Sequence, residues 1–365
     1  MRQAFAALPP LKDWARVALG MKTSDNKRFL RYWWQADPGG DWVPYEKQTS
    51  GFPFYRRARF VVDWSPEAQE HYRTHYSAQL PNKSLWFQEG ITFGMLSSRG
   101  FSAKYLPPGH MADMAANLVI PNRPRDLWFL LGVLNSRLAG YFLEAINPSV
   151  NFQVRDVQRL PLPSPTPEEH RLISLVTRLL VAVERIRDQW DPTSPDYRQP
   201  PLTESGKQDL AAICQQLDTI IAGFYRGVLI LIEILDLCVY RLYGLSETDR
   251  SLLDNYANAG VCRLAESWQK AVLQWRRDFG HDLVNYAFTE LTSSGQGAGY
   301  GDLCRWLSST FGPEGIKTME ELVQSNLAEY LQKKFYPQHE RRWGRAPRLR
   351  PCLLEDGTMG FALLA

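Results

Sequence analysis

The chain has 365 residues, of which 44% are hydrophobic and 22% are charged. That length suffices for a large core and two or three domains, and the composition excludes a disordered, collagen-like or disulfide-stapled protein. Residues 1–160 carry 20 basic and 13 acidic residues (net +7), residues 161–330 carry 15 and 23 (net −8), and residues 331–365 carry 7 and 3 (net +4). The basic N-terminal part predicts a polyanionic partner.

The cysteines and the apolar segments predict the compartment. The five cysteines are far apart and never form a C-x-x-C pair, which favours reduced thiols over a disulfide framework or a zinc site. The N-terminus has prolines where a signal peptide needs its apolar core, and the most apolar stretch, 228–235, contains Glu233 and is too short to span a bilayer. We therefore expect a soluble, cytoplasmic protein without a membrane partner.

Short apolar runs separated by glycine and proline characterise residues 1–160. Four of these runs have the length and composition of β-strands: 60–62, 91–95, 101–106 and 118–120. Two helices are predicted among them, at 66–76 and 127–145, and the second should be buried because it is apolar on nearly all sides. The pattern predicts an irregular α+β domain.

A proline-dense segment, 160–167, marks a predicted domain boundary because proline cannot continue a helix. Thr166 and Pro167 then begin a helix. Its apolar residues recur at alternating spacings of four and three, which is the seam of a coiled-coil-like helix: Leu172, Val176, Leu179, Val183, Ile186 and Trp190. A second seam runs from Leu210 to Gly244, so residues 161–245 predict a long antiparallel helical hairpin.

The remaining residues, 246–365, are predicted to be helical around a glycine-rich loop at 295–301. They end in a basic tail and a hairpin around Asp356-Gly357. The predicted fold class is therefore α+β: an irregular mixed domain (1–160), a long antiparallel helical hairpin (161–245) and a helical C-terminal region (246–365).

Motifs for methyl transfer are incomplete in this sequence. Amino-group methylation of a flipped base needs an Asn/Asp-Pro-Pro-aromatic tetrapeptide, but Asn147-Pro148-Ser149-Val150 keeps only its first two residues. The glycine-rich segment 294–302 follows no predicted strand, as a cofactor turn would. We expect no methyl-transfer site and no bound cofactor in this chain.

The motifs for nuclease activity and for metal binding are also incomplete in this sequence. Metal-dependent nucleases carry an acid and a lysine two residues apart on one strand, so that both face one metal. This chain has the residue types, in Asp196, Glu204 and Lys207, but the acid and the lysine are three residues apart in a proline-rich segment. His71 and His75 lie one helical turn apart, as zinc ligands can, yet no third ligand is evident nearby. An exposed helix face is the better interpretation, and we predict no catalytic and no metal site.

Aromatic residues alternate with cations in segments 27–34 and 54–60. Arginine and lysine neutralise phosphates and can read guanine edges, and aromatic side chains stack on extruded bases or wedge between base steps. The same pattern also fits core aromatics beside solvated charges. The pattern alone favours neither interpretation.

Three segments of the chain resemble one family of large adenine-specific DNA methyltransferases, of the BREX and type IIG restriction-modification kind. The segments are 20–34, 86–117 and 130–163, and they resemble the C-terminal target-recognition region of those proteins. Segment 235–253 is similar to the helical element that follows in those proteins, and 335–351 to their basic terminus. After residue 160, a proline-rich segment is followed by the helix with the apolar seam. This order also resembles type I specificity subunits, in which a spacer helix follows the recognition domain.

The resemblance implies that this region chooses the DNA sequence while a separate catalytic domain transfers methyl from S-adenosylmethionine. No counterpart of that catalytic domain is recognisable here. The family's usual Thr-Gly-Asp-Asn reads Thr23-Ser24-Asp25-Asn26, whereas Asn151-Phe152-Gln153-Val154 is kept. The expected function is sequence-specific duplex DNA recognition in a restriction-modification or BREX-like phage-defence methyltransferase. The expected partners are double-stranded DNA and either a catalytic methyltransferase subunit or other defence-system proteins. S-adenosylmethionine is expected in a catalytic partner or in a missing domain.

The basic-aromatic segments and the family-like motifs together predict the DNA-contact residues. They are Lys22, Thr23, Asn26, Lys27, Arg28, Arg31, Arg56, Arg57, Arg59, Arg99 and Lys104. Trp33 and Trp34 are either stacking groups or core, and Glu89, Gly90 and Ser98 belong to family-like motifs without an assigned role. A second hypothesis is a protein-docking module that uses the acidic helical half and has no DNA specificity of its own.

Overall fold

The computed structural model divides the chain into two compact units, Met1–Pro200 with Phe224–Trp306 and Pro201–Gly223 with Leu307–Ala365. The residues described are 7–37, 39–47, 53–97, 100–149, 151–189, 191–197, 228, 231–246, 248–250, 253, 348–353 and 359–364. Over these residues the protein is α+β, as the sequence predicts. The predicted boundary at residue 160 stays a prediction.

The described part of the first unit contains eight strands and six α-helices between residues 7 and 197, besides a helical segment at 231–242. The strands are β1 (Ala15–Ala18), β2 (Leu30–Tyr32), β3 (Trp42–Glu46), β4 (Phe60–Asp63), β5 (Gly90–Gly94), β6 (Ala103–Leu106), β7 (Met111–Ala112) and β8 (Ala116–Pro121). The helices are α1 (Asn26–Phe29), α2 (Pro66–Thr74), α3 (Leu127–Leu134), α4 (Arg137–Ile146), α5 (Val154–Gln158) and α6 (Pro167–Gln189). All four predicted strands are present.

These strands form two four-stranded sheets. The first has the order β1-β8-β5-β6 and is antiparallel throughout. The second has the order β2-β4-β3-β7, in which only the β3–β7 pair is parallel. The sequence pattern did not predict β1, β2, β3 or β7, because each is short and lacks a clear apolar alternation.

The second sheet buries one face against α2. Val62 and Tyr45 lie on that face, and Tyr72 of α2 and Phe29 of α1 pack against it. Ser65 caps α2 by accepting a hydrogen bond from the Ala68 backbone N–H. This packing fixes α2 beside the loop that carries the first group of predicted DNA contacts.

The predicted single helix at 127–145 is wrong, because the segment forms α3 and α4 with a bend of 76° between them. Asn135 leaves the helix to bond the Ala103 backbone, donating to its carbonyl at 2.8 Å and accepting from its N–H at 3.0 Å. Ser136 then starts α4, since its hydroxyl accepts from the Ala139 N–H at 3.2 Å. Within the described residues no single helix is long and apolar enough to span a membrane, and only this bent pair meets the criterion jointly.

Helix α6 begins where the sequence predicts. Thr166 and Glu169 form a reciprocal cap, in which the Thr166 hydroxyl accepts from the Glu169 N–H and the Glu169 carboxylate accepts from the Thr166 N–H. Helix α6 packs on α3, where His170 stacks on Phe129 at a centroid distance of 5.0 Å. Sequence periodicity predicts that α6 buries a seam but cannot identify α3 as its partner.

Residues 231–242 are helical and end at Gly244, which has a φ of +62°. Arg137 of α4 pairs with Glu233 at 2.8 Å and with Asp236 at 3.3 Å, so this helix is attached to α4. Most of the predicted second arm of the hairpin, before 228, lies outside the described residues.

The described part of the second unit is an antiparallel hairpin of β9 (Arg348–Leu353) and β10 (Met359–Leu364). Arg350 pairs with Ala362 in its register. The predicted terminal hairpin is therefore confirmed. The predicted helices at 247–336 lie outside the described residues, apart from 248–250 and 253, which are helical.

Candidate functional site

The loop before α1 is organised by its own polar side chains. The Thr23 hydroxyl, which is buried, donates to the Asn26 side-chain oxygen at 2.8 Å. Asp25 caps α1 by accepting from the Arg28 N–H at 3.1 Å, and Ser24 adopts a φ of +74°. As a result the loop presents its other polar residues to solvent: Lys22, Asn26, Lys27 and Arg28.

A stack of rings runs from this loop along the end of α2. The ring centroids of Phe29 and His71 are 4.8 Å apart, those of His71 and His75 are 4.6 Å apart, and those of His75 and Tyr76 are 4.7 Å apart. Phe29 is 2% exposed whereas Tyr76 is 93% exposed. The exposed face expected for the two histidines is thus wrong, since both are half-buried within this ring stack.

His71 also joins the stack to the loop. Its Nε2 lies 2.8 Å from the Ser24 hydroxyl. Burial, reinforced by the charges of His75 and Arg28 and opposed by Asp25, lowers the pKa of His71 below its ordinary value. A neutral imidazole therefore fills this position near neutral pH. Within the described residues His71 has no carboxylate partner, so the Ser24–His71 contact lacks the third member of a nucleophilic triad.

Arg31 lies at the end of α1 and is half-buried. Its guanidinium donates to the carbonyl oxygens of Lys27 at 2.9 Å, Arg28 at 3.2 Å and Leu30 at 2.8 Å. These are carbonyls that the end of a helix leaves unsatisfied. Arg31 consequently stabilises the short helix that displays Lys27 and Arg28.

Lys104 lies in the interior, with 1% of its side chain exposed. Its ammonium donates to the Glu46 carboxylate at 2.5 Å and to the Arg56 carbonyl at 3.2 Å. The other Glu46 oxygen lies 3.0 Å from His110 Nδ1. Burial opposes the charge on Glu46, but Lys104 and the hydrogen bond with His110 outweigh it and lower the pKa of Glu46 to about 2.

The polar interior continues from His110 through Arg57. The Arg57 guanidinium lies 2.9 Å from His110 Nε2 and 3.6 Å from the Asp196 carboxylate. Arg59, which is 8% exposed, pairs with Asp188 at 2.6 Å and with Asp191 at 3.2 Å. These ion pairs connect the second sheet to the C-terminal end of α6 and the loop after it.

The two tryptophans of the basic-aromatic segment are half-buried. Trp33 donates its indole N–H to the Thr193 carbonyl at 2.9 Å. Trp34 stacks on Tyr32 with a centroid distance of 4.5 Å and an interplanar angle of 6°. Both side chains contact other groups of the protein while remaining partly exposed, so the choice between stacking group and core stays open.

The remaining predicted residues lie apart from the loop. Arg56 is half-buried. Arg99 and Ser98 lie outside the described residues, so their prediction is neither supported nor opposed. Glu89 is exposed and accepts a 2.6 Å hydrogen bond from the Tyr105 hydroxyl, and Gly90 is buried at the start of β5.

The structure thus separates the predicted set into two groups. Lys22, Asn26, Lys27 and Arg28 meet on one loop, supported by Thr23 and Arg31. By contrast, Arg59 and Lys104 bind carboxylates beneath the surface, and the half-buried Arg57 contacts His110 and Asp196. The sequence pattern does not indicate the exposed ring of Tyr76 or the buried carboxylates Glu46 and Asp188. No local signal marks them, because Glu46 and Lys104 are 58 residues apart and Arg59 and Asp188 are 129 apart.

Within the described ranges, no group of three or more His, Cys, Asp or Glu side chains could hold a metal ion. The exposed loop offers hydrogen-bond donors and positive charge at Lys22, Asn26, Lys27 and Arg28.

No family model matches this chain. Part of it is 28% identical over 167 residues to the adenine-specific methyltransferase PglX of Lacticaseibacillus casei (strain Zhang), covering 39% of this chain. Part is 26% identical over 171 residues to the adenine-specific methyltransferase BrxX of Escherichia coli O9:H4 (strain HS), covering 44% of this chain. The chain spans only 14% of the length of either relative. It is therefore related in sequence to adenine-specific methyltransferases.

Proposed function

We propose that this chain recognises duplex DNA for an adenine-specific methyltransferase of a restriction-modification or BREX-like phage-defence system. S-adenosylmethionine would be held by a catalytic partner or by a domain beyond this chain. The observation that carries the proposal is the loop that displays Lys22, Asn26, Lys27 and Arg28 together, in a chain related to adenine-specific methyltransferases.

The charges on this loop are available to a ligand. Lys22, Lys27 and Arg28 form no ion pair with any residue that the structure describes. Lysine and arginine side chains that neutralise phosphates supply most of the affinity for DNA. Asn26 adds an exposed amide, the group that reads adenine by two hydrogen bonds in the major groove. Phosphate contact and base reading can therefore come from one loop.

The paired cations have a different task in this proposal. Arg59 and Lys104 hold carboxylates inside the protein, and taking either charge out of its ion pair to reach a phosphate would leave a buried carboxylate uncompensated. Arg57 is half-buried and already contacts His110 and Asp196. We assign these three residues to the support of the recognition domain, and the DNA contacts to the loop.

The protein-docking alternative relied on the acidic helical half. Three of its acids, Asp188, Glu233 and Asp236, are buried and paired with Arg59 or Arg137. They are therefore occupied inside the first unit. DNA recognition remains the function that the described surface supports best.

Fluorescence anisotropy of a random-sequence duplex library tests the proposal. Affinity should fall with salt by about 0.9 log units per log unit for each phosphate neutralised. The double variant Lys27→Ala/Arg28→Ala should weaken binding to all sequences and reduce that slope by about 2. Asn26→Ala should instead relax the preference at one base position of the enriched motif.

Arg155→Ala is the matched control, because it removes an arginine that is 78% exposed on α5. It should leave both the affinity and the salt slope close to those of the wild type. The absence of binding by the wild type at low salt would overturn the proposal. Equal losses in the control and the double variant would show that the loop has no special role.

A further inference from the structure

We propose that the ring stack formed by Phe29, His71, His75 and Tyr76 is a platform on which one unstacked base of the bound DNA lies, in contact with the Tyr76 ring. The inference rests on the proposed DNA-binding function and deepens it by naming a base-binding group. Trp33 and Trp34, which the sequence singled out for stacking, are half-buried and already contact Thr193 and Tyr32.

Tyr76 has the exposure that such a platform needs. Its side chain is 93% exposed, far more than Leu96 at 62% or Tyr197 at 38%. One side of the ring lies against His75, with an interplanar angle of 30°, and His75 in turn lies against His71 at 22°. The rest of the Tyr76 ring is open to solvent, so a base can continue the stack outward.

The two histidines beneath Tyr76 are held in place before any ligand binds. The His75 N–H donates to the His71 carbonyl at 2.9 Å, and the Ala78 N–H donates to the His75 carbonyl at 3.1 Å. The Ser77 hydroxyl lies 3.1 Å from His75 Nδ1, and the Ser24 hydroxyl lies 2.8 Å from His71 Nε2. The Tyr76 ring therefore rests on a preorganised support, and preorganisation favours affinity.

The cations of the loop lie beside the same stack. The backbones of Lys22 and Gln79 exchange two hydrogen bonds, of 2.8 and 2.9 Å, three residues after Tyr76. At the inner end, the Arg28 guanidinium lies 4.7 Å from the centroid of the Phe29 ring. Arg28 thus lies at one end of the stack and the exposed Tyr76 ring at the other. Cations and an exposed aromatic ring in one region are the combination that binds the phosphates and the bases of unpaired nucleotides. This charge favours a nucleic acid over a neutral peptide as the occupant.

The test measures the affinity of the 365-residue chain for two duplexes of random sequence. One duplex is fully paired, and the other contains a single unpaired adenine. The wild type should bind the duplex with the unpaired adenine more tightly. Tyr76→Ala should lose about tenfold in affinity for that duplex and little for the paired one. Tyr76→Trp should retain the preference because the indole also stacks, and Tyr197→Ala, which alters a less exposed tyrosine, should behave like the wild type.

The outcomes separate this inference from the function on which it rests. If Tyr76→Ala keeps the wild-type preference, or if the wild type has none, the base platform is wrong while DNA binding by the loop stands. If the wild type binds neither duplex, both proposals fail. Because Tyr76 is almost fully exposed, its replacement should leave folding intact, and circular dichroism of each variant checks this.

Discussion

At the scale of single residues, Glu46 explains why a lysine predicted to contact DNA lies in the interior. Its carboxylate receives Lys104 on one oxygen and His110 on the other, and all three side chains are buried. An unpaired charge in the interior is very unfavourable, whereas a paired and hydrogen-bonded charge is tolerated. The three residues therefore depend on one another.

This dependence predicts the pH response of folding. The pKa of Glu46 is about 2 in the folded protein and about 4.3 in an unfolded chain. A lowered pKa adds stability that is fully present above about pH 5 and is lost as the pH falls toward 2. Glu46→Gln should cost about 3–5 kcal/mol at neutral pH, and its deficit relative to the wild type should shrink across that window.

Urea denaturation at a series of pH values measures this deficit. Glu144→Gln is the matched control, since Glu144 is exposed on α4, and it should change the unfolding free energy by less than about 0.5 kcal/mol. A deficit that is independent of pH would show that Glu46 stabilises the fold through its shape and not through its charge.

At the scale of elements, α3, α6 and the helix 231–242 approach one another closely at Gly132 of α3. A Cβ atom at this position would lie 2.3 Å from Thr177 Oγ1, 3.0 Å from Ile173 Cγ2 and 3.1 Å from Leu235 Cδ1. Thr177 cannot rotate away freely, because its hydroxyl donates to the Ile173 carbonyl at 2.7 Å. Only glycine allows α6 and helix 231–242 to meet α3 at this depth.

Gly132→Ala should therefore destabilise the first unit. The helix propensity of alanine contributes about 1 kcal/mol of stability, but overpacking costs about 1–3 kcal/mol, and the tight contacts place this position at the upper end. We expect a net loss of about 1–2 kcal/mol in the unfolding free energy from thermal or urea denaturation.

Gly39→Ala provides the comparison, because a Cβ at Gly39 would meet nothing within 4 Å. That variant should be nearly neutral. A Gly132→Ala protein more stable than the wild type would contradict the packing argument, since it would mean that the neighbouring side chains move aside at no cost.

At the scale of the whole molecule, the two candidate partners are duplex DNA, which would bind the basic N-terminal part, and a methyltransferase subunit, which would bind the acidic helical half. A ligand that binds only the folded state raises its stability by about 2.7 kcal/mol at a concentration of 100 times its Kd. Duplex DNA at low salt should therefore raise the unfolding temperature of the full chain, and Lys27→Ala/Arg28→Ala should abolish most of this rise. Differential scanning fluorimetry measures both.

A second ligand in the same measurement addresses the alternative function. If a candidate methyltransferase subunit raises the unfolding temperature and DNA does not, the chain is a docking module and the DNA proposal fails. A rise with both ligands would agree with a recognition subunit that joins DNA to its catalytic partner. Cytoplasmic location stays a prediction.

The amino-acid sequence by itself determined the features that depend on near neighbours. The four predicted strands, the cap of α6 at Thr166 and the terminal hairpin all follow from local apolar patterns and turn chemistry.

Tertiary structure alone decided what depends on distant residues. The break between α3 and α4 requires Asn135 to bond the Ala103 backbone, 32 residues away. Arg59 is buried because Asp188 meets it from α6, and Tyr76 completes a ring stack because α2 packs beside Phe29. Local sequence reports the polarity of a side chain, but its exposure and its partner are set by the packing of elements that are remote in the chain.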